Sequence, residues 1–475
     1  MNQKTLNPTE IPDVQTYTEG WKYRGVNLAG GAFRDDSKHM ASNGDFLPTL
    51  KDAALFIYKG MNIFRIPIAW EYLANIDGTF KTDAAGKNYQ QKLSEIVSDL
   101  TGKKATVILD LHNYMRYNPT DVSLNYQNTD PNGSDVIGSG SGAPTKENYA
   151  ELWKNITAAY PGSNIIYGIM NEPHDIYMQQ LIDCQNSVIE AIREQEQADG
   201  ITQPHLIFID GNDWTGMHSW NTTSQYGCNA EVYPQQIVDC MDNFAIDVHQ
   251  YFDKNYSGGS SECIEFSTFK EKFDLFWGEF KQWAQNNKVK LFLGEFGIAD
   301  NENCKEDLAY MLSTLNEFTY QPGQGGFLGW SVWAAGSSWG SEYILSIAPG
   351  GNANTLMWDF YPNYLNQKAP LPPLGKKEVS LINLSNEDLP FAGGAWPFQI
   401  EGSATLTSNK GIAYIYEQDM TPGKQVEISY SSGNVGFGVD VNGYGFAWSN
   451  IANLKVEKLA SCDLGDGRCW EIKNE

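Results

Sequence analysis

An α/β barrel of eight strand–helix repeats, (β/α)8, followed by a small all-β, sandwich-like C-terminal domain is the fold class that this 475-residue sequence predicts. Three observations carry the prediction. Eight short, nearly uninterrupted apolar runs alternate with amphipathic stretches from residue 22 to about 365, and such runs read as parallel strands buried on both faces. Polar residues recur where those runs end, the place where a TIM barrel of this kind keeps its chemistry. Past a proline-rich stretch the pattern changes to short alternating segments separated by Gly, Asn and Ser, an all-β signature.

The elements follow in order. KYRGVNLAG (22–30) opens the barrel, and LPTLKDAALFIYKG supplies the first amphipathic helix. NIFRIPIAW (62–70) leads to the helix NYQQKLSEIVSDLTG, and ATVILDLHNY (105–114) leads to TKENYAELWKNITAAY, where Thr145 is a candidate N-cap. IIYGIMNEP (165–173) precedes the helix YMQQLIDCQNSVIEAIREQEQ. After HLIFIDGNDW (205–214), residues 215–243 read as a long loop with at most a short helix. FAIDVHQYF (244–252), VKLFLGEFG (289–297) and GFLGWSVWAAG (326–336) complete the set, separated by TFKEKFDLFWGEFKQWAQN and KEDLAYMLSTLNEF. The strand ends carry Arg65, His112, Asn171, Glu172, Asp213, His249, Glu295 and Trp333.

The expected boundaries are a barrel over 1–369, a linker over 370–377 holding Pro370, Pro372 and Pro373, and a β-rich domain over 378–475. Apolar residues make up 41% and charged residues 19%, enough for a large core. Lys+Arg is 33 against Asp+Glu 58, a net charge of −25. That balance argues against nucleic acid or an anionic membrane as partner, since both need a basic surface. A neutral polymer is compatible with it. Aromatic residues reach 13%, with 14 Trp, and flat π faces suit the C–H faces of sugars. No run of apolar residues is long enough to span a bilayer. Residues 1–10 are polar and lack the apolar core of a leader, so the chain reads as cytosolic or as a mature form. Of the seven cysteines, Cys228 and Cys240, and Cys462 and Cys469, could each close a short loop, which favours an oxidising compartment.

Glu172 in GIMNEPHD and Glu295 in FLGEFGIAD each follow an apolar strand, where an unused carboxylate is costly. Chemistry that needs two facing carboxylates is glycoside hydrolysis: one protonates the leaving oxygen, and the other attacks the anomeric carbon or activates water. A lone strand-end glutamate has a salt bridge as its alternative reading, but two of them at strand ends favour a site. His112 and His249 could orient a carboxylate or bind a hydroxyl. The chain lacks H-E-x-x-H and any two histidines at ligand spacing on one helix, so no metal and no cofactor is expected. GSGSG (138–142) follows no strand and precedes no Lys-Ser/Thr, so it reads as a loop before a helix rather than a phosphate cradle.

In YRGVNLAG, NIFRIPIAW, DLHNYMRYN, GIMNEPHD, GNDWTGMHSW, DVHQYFDKNYSGGSSEC, GEFG and GWSVWAAGSSWGSEYIL, the chain resembles glycoside hydrolase family five, particularly its fungal-type endo-β-1,4-glucanase subfamily, over residues 22 to about 347. The resemblance implies a secreted, retaining endo-glycosidase acting on β-1,4-glucosidic bonds of a cellulose-like polysaccharide, working as a monomer. β-Mannanase or xyloglucanase activity on the same barrel is the alternative, and a non-catalytic glycan-binding protein the remoter one. By motif, Glu172 matches the acid/base and Glu295 the nucleophile. Asn171 matches the residue that holds the sugar 2-hydroxyl, and Arg65 and Tyr251 match the groups that keep the nucleophile ionised and aligned. His112 and His249 match hydrogen-bonding partners around the −1 sugar, and Trp333 the platform under it. Asn27 joins this supporting set. Trp214, Tyr114 and Trp339 are candidate sugar-stacking residues, as are Trp70 and Trp220, though packing under loops is as good a reading for each. Cys263 and Cys304 match a bridged pair of the subfamily, which leaves Cys184 free. Subfamily members often carry Lys where Gln250 stands and Thr-Glu-Thr where Gly294-Glu295-Phe296 stands.

Overall fold

The computed structural model describes residues 11–365 except 34–45, 121, 141, 337–338 and 340–342, and beyond 365 it describes only strand backbones. The chain divides into two compact units, Pro12–Leu365 and the remainder. In the first, strands β1 (Tyr23–Leu28), β2 (Ile63–Ile68), β3 (Thr106–Leu111), β4 (Ile165–Gly168), β5 (Leu206–Asp210), β6 (Phe244–His249), β7 (Lys290–Glu295) and β8 (Gly326–Ala335) close into one barrel. Every pairing is parallel, and β8 returns to pair with β1. The expected (β/α)8 barrel is therefore observed.

The helices in chain order are α1 (Leu50–Tyr58), α2 (Trp70–Leu73), α3 (Ala84–Gly102), α4 (Lys146–Ala159), α5 (Met178–Ala198), α6 (Asn229–Val232), α7 (Phe266–Asn287), α8 (Glu302–Asn316) and α9 (Leu356–Asp359). Their apolar stripes explain where they sit. On α4 the buried residues Tyr149, Leu152, Trp153, Ile156 and Thr157 recur at helical spacing, leaving the opposite face to water. Thr145 caps α4 as expected: its hydroxyl accepts the Asn148 N–H at 3.2 Å, and Asn148 reaches back to the Thr145 N–H at 2.9 Å. Asn301 does the same for α8, accepting the Cys304 N–H at 3.0 Å. Between β5 and β6 the one α-helical turn is the four-residue α6, in keeping with the long loop expected there.

Successive side chains on a strand alternate faces, so every second residue points into the barrel. One inward layer is apolar: Ile63, Ile108, Ile166, Phe208, Ala245, Phe292 and Leu328, one from each of β2 to β8, with Tyr23 of β1 packed against them. This layer plugs the barrel. Two residues further along five of those strands stand Arg65, Asp110, Asp210, Asp247 and Gly294. A charged layer thus lies directly on the apolar plug, toward the C-terminal ends of the strands.

Beyond residue 365 the described backbone is all strand: β9 (Lys377–Asn383), β10 (Leu389–Phe391), β11 (Gln418–Met420), β12 (Gln425–Tyr430), β13 (Val435–Gly438), β14 (Phe446–Ser449), β15 (Asn453–Lys458) and β16 (Trp470–Asn474). They pair as a sheet of order β12-β9-β15-β16 and two hairpin-like pairs, β10-β11 and β13-β14. Linker residues 370–376, Cys462 and Cys469 lie outside the described residues.

Candidate active site

Arg65 stands at the centre of the charged layer, 1% exposed. Its Nη1 donates to Glu295 Oε1 at 2.7 Å and to Asn27 Oδ1 at 2.9 Å. Its Nη2 donates to Asn171 Oδ1 at 2.6 Å and lies 2.9 Å from Asp110 Oδ1. Burial opposes the guanidinium charge, but Asp110, Glu295, Asp247 and Asp210 around it prevail and raise its pKa. Asn27 is fixed in turn by donating to the Gly294 and Ser331 carbonyls. Residues of β1, β3 and β7 and of the loop after β4 are tied to one cation.

The second oxygen of Glu295, Oε2, accepts the Tyr251 hydroxyl at 2.8 Å. Burial and the neighbouring Glu295 charge hold the Tyr251 phenol well above its ordinary pKa, so it remains a donor. Glu172 meets a different environment. It has φ +44°, a left-handed conformation that costs a non-glycine residue of order 1 kcal/mol or more. Its main-chain N–H donates to Asp210 Oδ2 at 2.9 Å, and its Oε1 lies 2.6 Å from His249 Nδ1. Burial pushes the Glu172 carboxyl up to about 7, against the smaller opposing pull of His112 and Arg65. Burial likewise pushes His249 down to about 3, so its imidazole is neutral at ordinary pH. One carboxylate oxygen each from Glu172 and Glu295, with a ring nitrogen of His249, all lie within 4.8 Å of one another. His112 completes the ring: Nδ1 lies 2.8 Å from Asp110 Oδ2, and Nε2 lies 3.4 Å from Asn171 Nδ2.

The structure thus brings together Asn27, Arg65, His112, Asn171, Glu172, His249, Tyr251 and Glu295. Trp333 borders them, its ring parallel to His112 with centroids 5.4 Å apart. Tyr114 sits edge-on between His112 and Trp214, at 5.2 and 5.7 Å. Trp214, 36% exposed, stacks one face on His174 at 3.8 Å and 4°. Trp339 stacks on Tyr343 at 4.2 Å, beside Trp333. The other two candidate platforms are corrected: Trp70 and Trp220 are fully buried, Trp70 bonded to the Asn75 carbonyl and Trp220 packed against Tyr233 and Trp283. Asp213 is exposed, on the loop after β5.

Cys263 and Cys304 are bridged, with Cα atoms 5.3 Å apart, tying the loop after β6 to the start of α8. Cys184 is free, as expected. The short-loop pairing of Cys228 with Cys240 is overturned, for both are free thiols. Cys228 is buried with Sγ 3.7 Å from the Trp220 carbonyl, whereas Cys240 is exposed. The segment between them is held by other means, through buried Tyr233 and the Arg193–Asp239 ion pair at 2.8 Å.

Sequence reasoning missed the inward aspartates. Asp110, Asp210 and Asp247 were each visible as a lone acid inside an apolar run, in ILDLHN, IFIDGN and AIDVHQ. That spacing, two residues beyond the apolar plug, was the available signal. His174 was also missed, since nothing in NEPHD shows that its ring backs Trp214.

A closed β/α barrel with two unlike glutamates facing each other at its C-terminal mouth defines the chain as a glycoside hydrolase. The chain belongs to the cellulase family, glycosyl hydrolase family 5, whose family model matches residues 25–336. It is similar to Endoglucanase 1 of Robillarda sp. (strain Y-20), 32% identical over 305 residues that cover 62% of this chain and 72% of that protein. Among solved structures it is similar to the endo-beta-1,4-glucanase Xac0029 from Xanthomonas axonopodis pv. citri, 31% identical with a TM-score of 0.56, covering 70% of this chain and 96% of that one. It is also similar to XacCel5A in complex with cellopentaose, at 29% identity and a TM-score of 0.57, covering 71% and 97%.

Proposed function

We propose that this hydrolase is a retaining endo-β-1,4-glucanase in which Glu295 is the nucleophile and Glu172 the acid/base. The observation that carries the reading is the contrast between the two carboxyls. Both oxygens of Glu295 accept hydrogen bonds, from Arg65 and Tyr251, while Glu172 is held up to about 7 by burial beside a neutral His249. One environment keeps a carboxylate ready to attack, and the other keeps a proton ready to give. Oxygens within 4.8 Å put the two carboxyls near the separation of about 5–5.5 Å used by retaining sites, short of the about 6.5–9.5 Å of inverting ones.

In the first step the Glu172 O–H gives its proton to the glycosidic oxygen while Glu295 attacks the anomeric carbon. The C–O bond to the leaving sugar breaks and a glycosyl ester on Glu295 forms. In the second step Glu172, now a carboxylate, takes a proton from water, whose oxygen displaces Glu295. Asn171, held by Arg65, faces the 2-hydroxyl of the −1 sugar, with His112 and Trp333 beside it. Trp214 is a stacking surface for the leaving-group chain, since it is 36% exposed and lies on the β4–β5 side where Glu172 stands.

The chemical class of the partner is a neutral β-1,4-glucan chain, in line with the endoglucanase names of the relatives and with the net charge of −25. A disulfide between Cys263 and Cys304 supports work outside the cell, where such bonds persist. No helix among the described residues is long and apolar enough to cross a membrane. On this reading residues 378–475 are a separate β-rich accessory domain, supported by the described backbone there, all of it strand from β9 to β16. The test of the reaction class is proton NMR of cello-oligosaccharide hydrolysis in its first minutes. Initial release of the β-anomer is expected; the α-anomer would overturn the assignment of Glu295.

A further inference from the structure

Two buried acids of the charged layer have no part in the two-step reaction above. Asp210 and Asp247 are register partners on the neighbouring strands β5 and β6. They are 2% and 1% exposed. Asp210 Oδ2 accepts the N–H of Glu172 at 2.9 Å and so braces the left-handed residue directly. Asp247 lies flat on the main chain beside the other glutamate: a Cβ built on Gly294 would fall 2.3 Å from both of its carboxyl oxygens. Asp247 Oδ1 has no hydrogen-bond partner among the described residues.

We propose that Asp210 and Asp247 form a positioning pair that sets the separation of the two glutamates, Asp210 by holding the main chain of Glu172 and Asp247 by wedging against Gly294, one residue before Glu295. Gly294 belongs to the device, because a side chain there would displace the wedge. The pair acts through the hydrogen bond to Glu172 and the close packing on Gly294. Arg65 is the one cation of the layer and already contacts Asp110 and Glu295. The groups facing the pair are Arg65 on β2, Asp110 on β3, Glu172 after β4, His249 on β6 and Glu295 on β7. Burial above all, then the neighbouring carboxylates, pushes both aspartates up from the ordinary carboxyl range against the pull of Arg65. Asparagine can take that place; alanine cannot.

The inference rests on the reading of Glu172 and Glu295 above, and the test separates the two. Asp210→Ala, Asp247→Ala, both Asn variants and Gly294→Ala are assayed on cellopentaose, which needs the proton of Glu172, and on a dinitrophenyl β-cellobioside, whose leaving group needs none. Asp210→Ala is expected to lower kcat on cellopentaose about 100-fold with KM within about threefold, and to leave kcat/KM on the aryl glycoside within about fivefold of the parent. Asp247→Ala and Gly294→Ala are expected to lower both substrates alike, with the loss in Gly294→Ala largely absent when Asp247→Ala is already present. Each Asn variant is expected to recover most of the rate lost by its Ala counterpart. Equal losses on both substrates for Asp210→Ala, or Asn variants as poor as Ala, would overturn the proposal. If an alanine variant does not fold, as judged by its melting transition, Gly294→Ala decides: unchanged rates overturn the wedge. Glu172→Gln and Glu295→Gln run alongside. If these abolish cellopentaose hydrolysis while the aspartate and glycine variants match the parent, this inference alone fails; if they keep it, the assignment of the glutamates fails.

Discussion

His249 Nδ1 lies 2.6 Å from Glu172 Oε1 and 3.8 Å from Glu295 Oε2, so one imidazole touches the acid/base and stands next to the nucleophile. Burial keeps that imidazole neutral, and it brings no positive charge to favour an ionised Glu172. The proton on Glu172 therefore survives further up the pH scale than an ordinary carboxylic acid would allow.

The pH dependence follows with a definite sign. Glu172 must be protonated in the first step, and its pKa is raised to about 7. Activity is present below that value and falls as pH rises through it. A plot of kcat/KM on cello-oligosaccharides against pH is expected to show an alkaline limb near about 7, a limb that disappears with the dinitrophenyl cellobioside. The same limb on both substrates would assign it to another group.

Replacing Arg65 by Met leaves Asp110 and Glu295 buried without their cation. Removing one partner of a buried pair costs about 3–5 kcal/mol, so a melting temperature well below that of the parent is expected in calorimetry. Loss of alignment at Glu295 lowers kcat by about 100-fold or more. A parent-like melting transition would show that the charged layer is neutralised in some other way.

Disulfide mapping tests the corrected cysteine pattern. Non-reducing peptide mass spectrometry is expected to find Cys263 linked to Cys304, with Cys228 and Cys240 alkylated singly after unfolding. The bridge spans 41 residues, and the double Ser variant is expected to lose about 2–4 kcal/mol in denaturant titration. A Cys228–Cys240 peptide would contradict the packing described around Trp220.

Trp214 stacks one face on His174 and is 36% exposed. Trp214→Ala is expected to raise KM for cellopentaose about 5- to 30-fold, the loss of about 1–2 kcal/mol of aromatic stacking. The KM of an aryl cellobioside, which fills few leaving-group sites, should change little. Equal effects on the two would place Trp214 elsewhere than along the leaving chain.

Much of the fold was legible because barrel strands are apolar on both faces and their helices carry one apolar stripe. The segment ILDLHN shows both what could and what could not be read. Its apolar run and terminal His112 marked a strand and its mouth, but the role of Asp110 depends on Arg65 arriving from β2, a contact made only by closure of the barrel. Glu172 and Glu295 were legible for a local reason, an acid at the end of an apolar strand. Trp214 and Trp220 could not be told apart from sequence. They lie six residues apart on one loop, yet one is open and the other is sealed against α7 by Tyr233 and Trp283. Cys228 and Cys240 misled because short spacing says nothing about the buried tyrosine and the ion pair that hold the intervening chain.

Azide trapping is the most direct test of the division of labour between the two glutamates. With dinitrophenyl β-cellobioside and sodium azide, Glu295→Ala is expected to yield the α-cellobiosyl azide, as the anion takes the place of the missing nucleophile. Glu172→Ala is expected to yield the β-azide, by attack on the intermediate still formed on Glu295. Interchanged products, or no azide adduct from either variant while hydrolysis continues, would contradict the account.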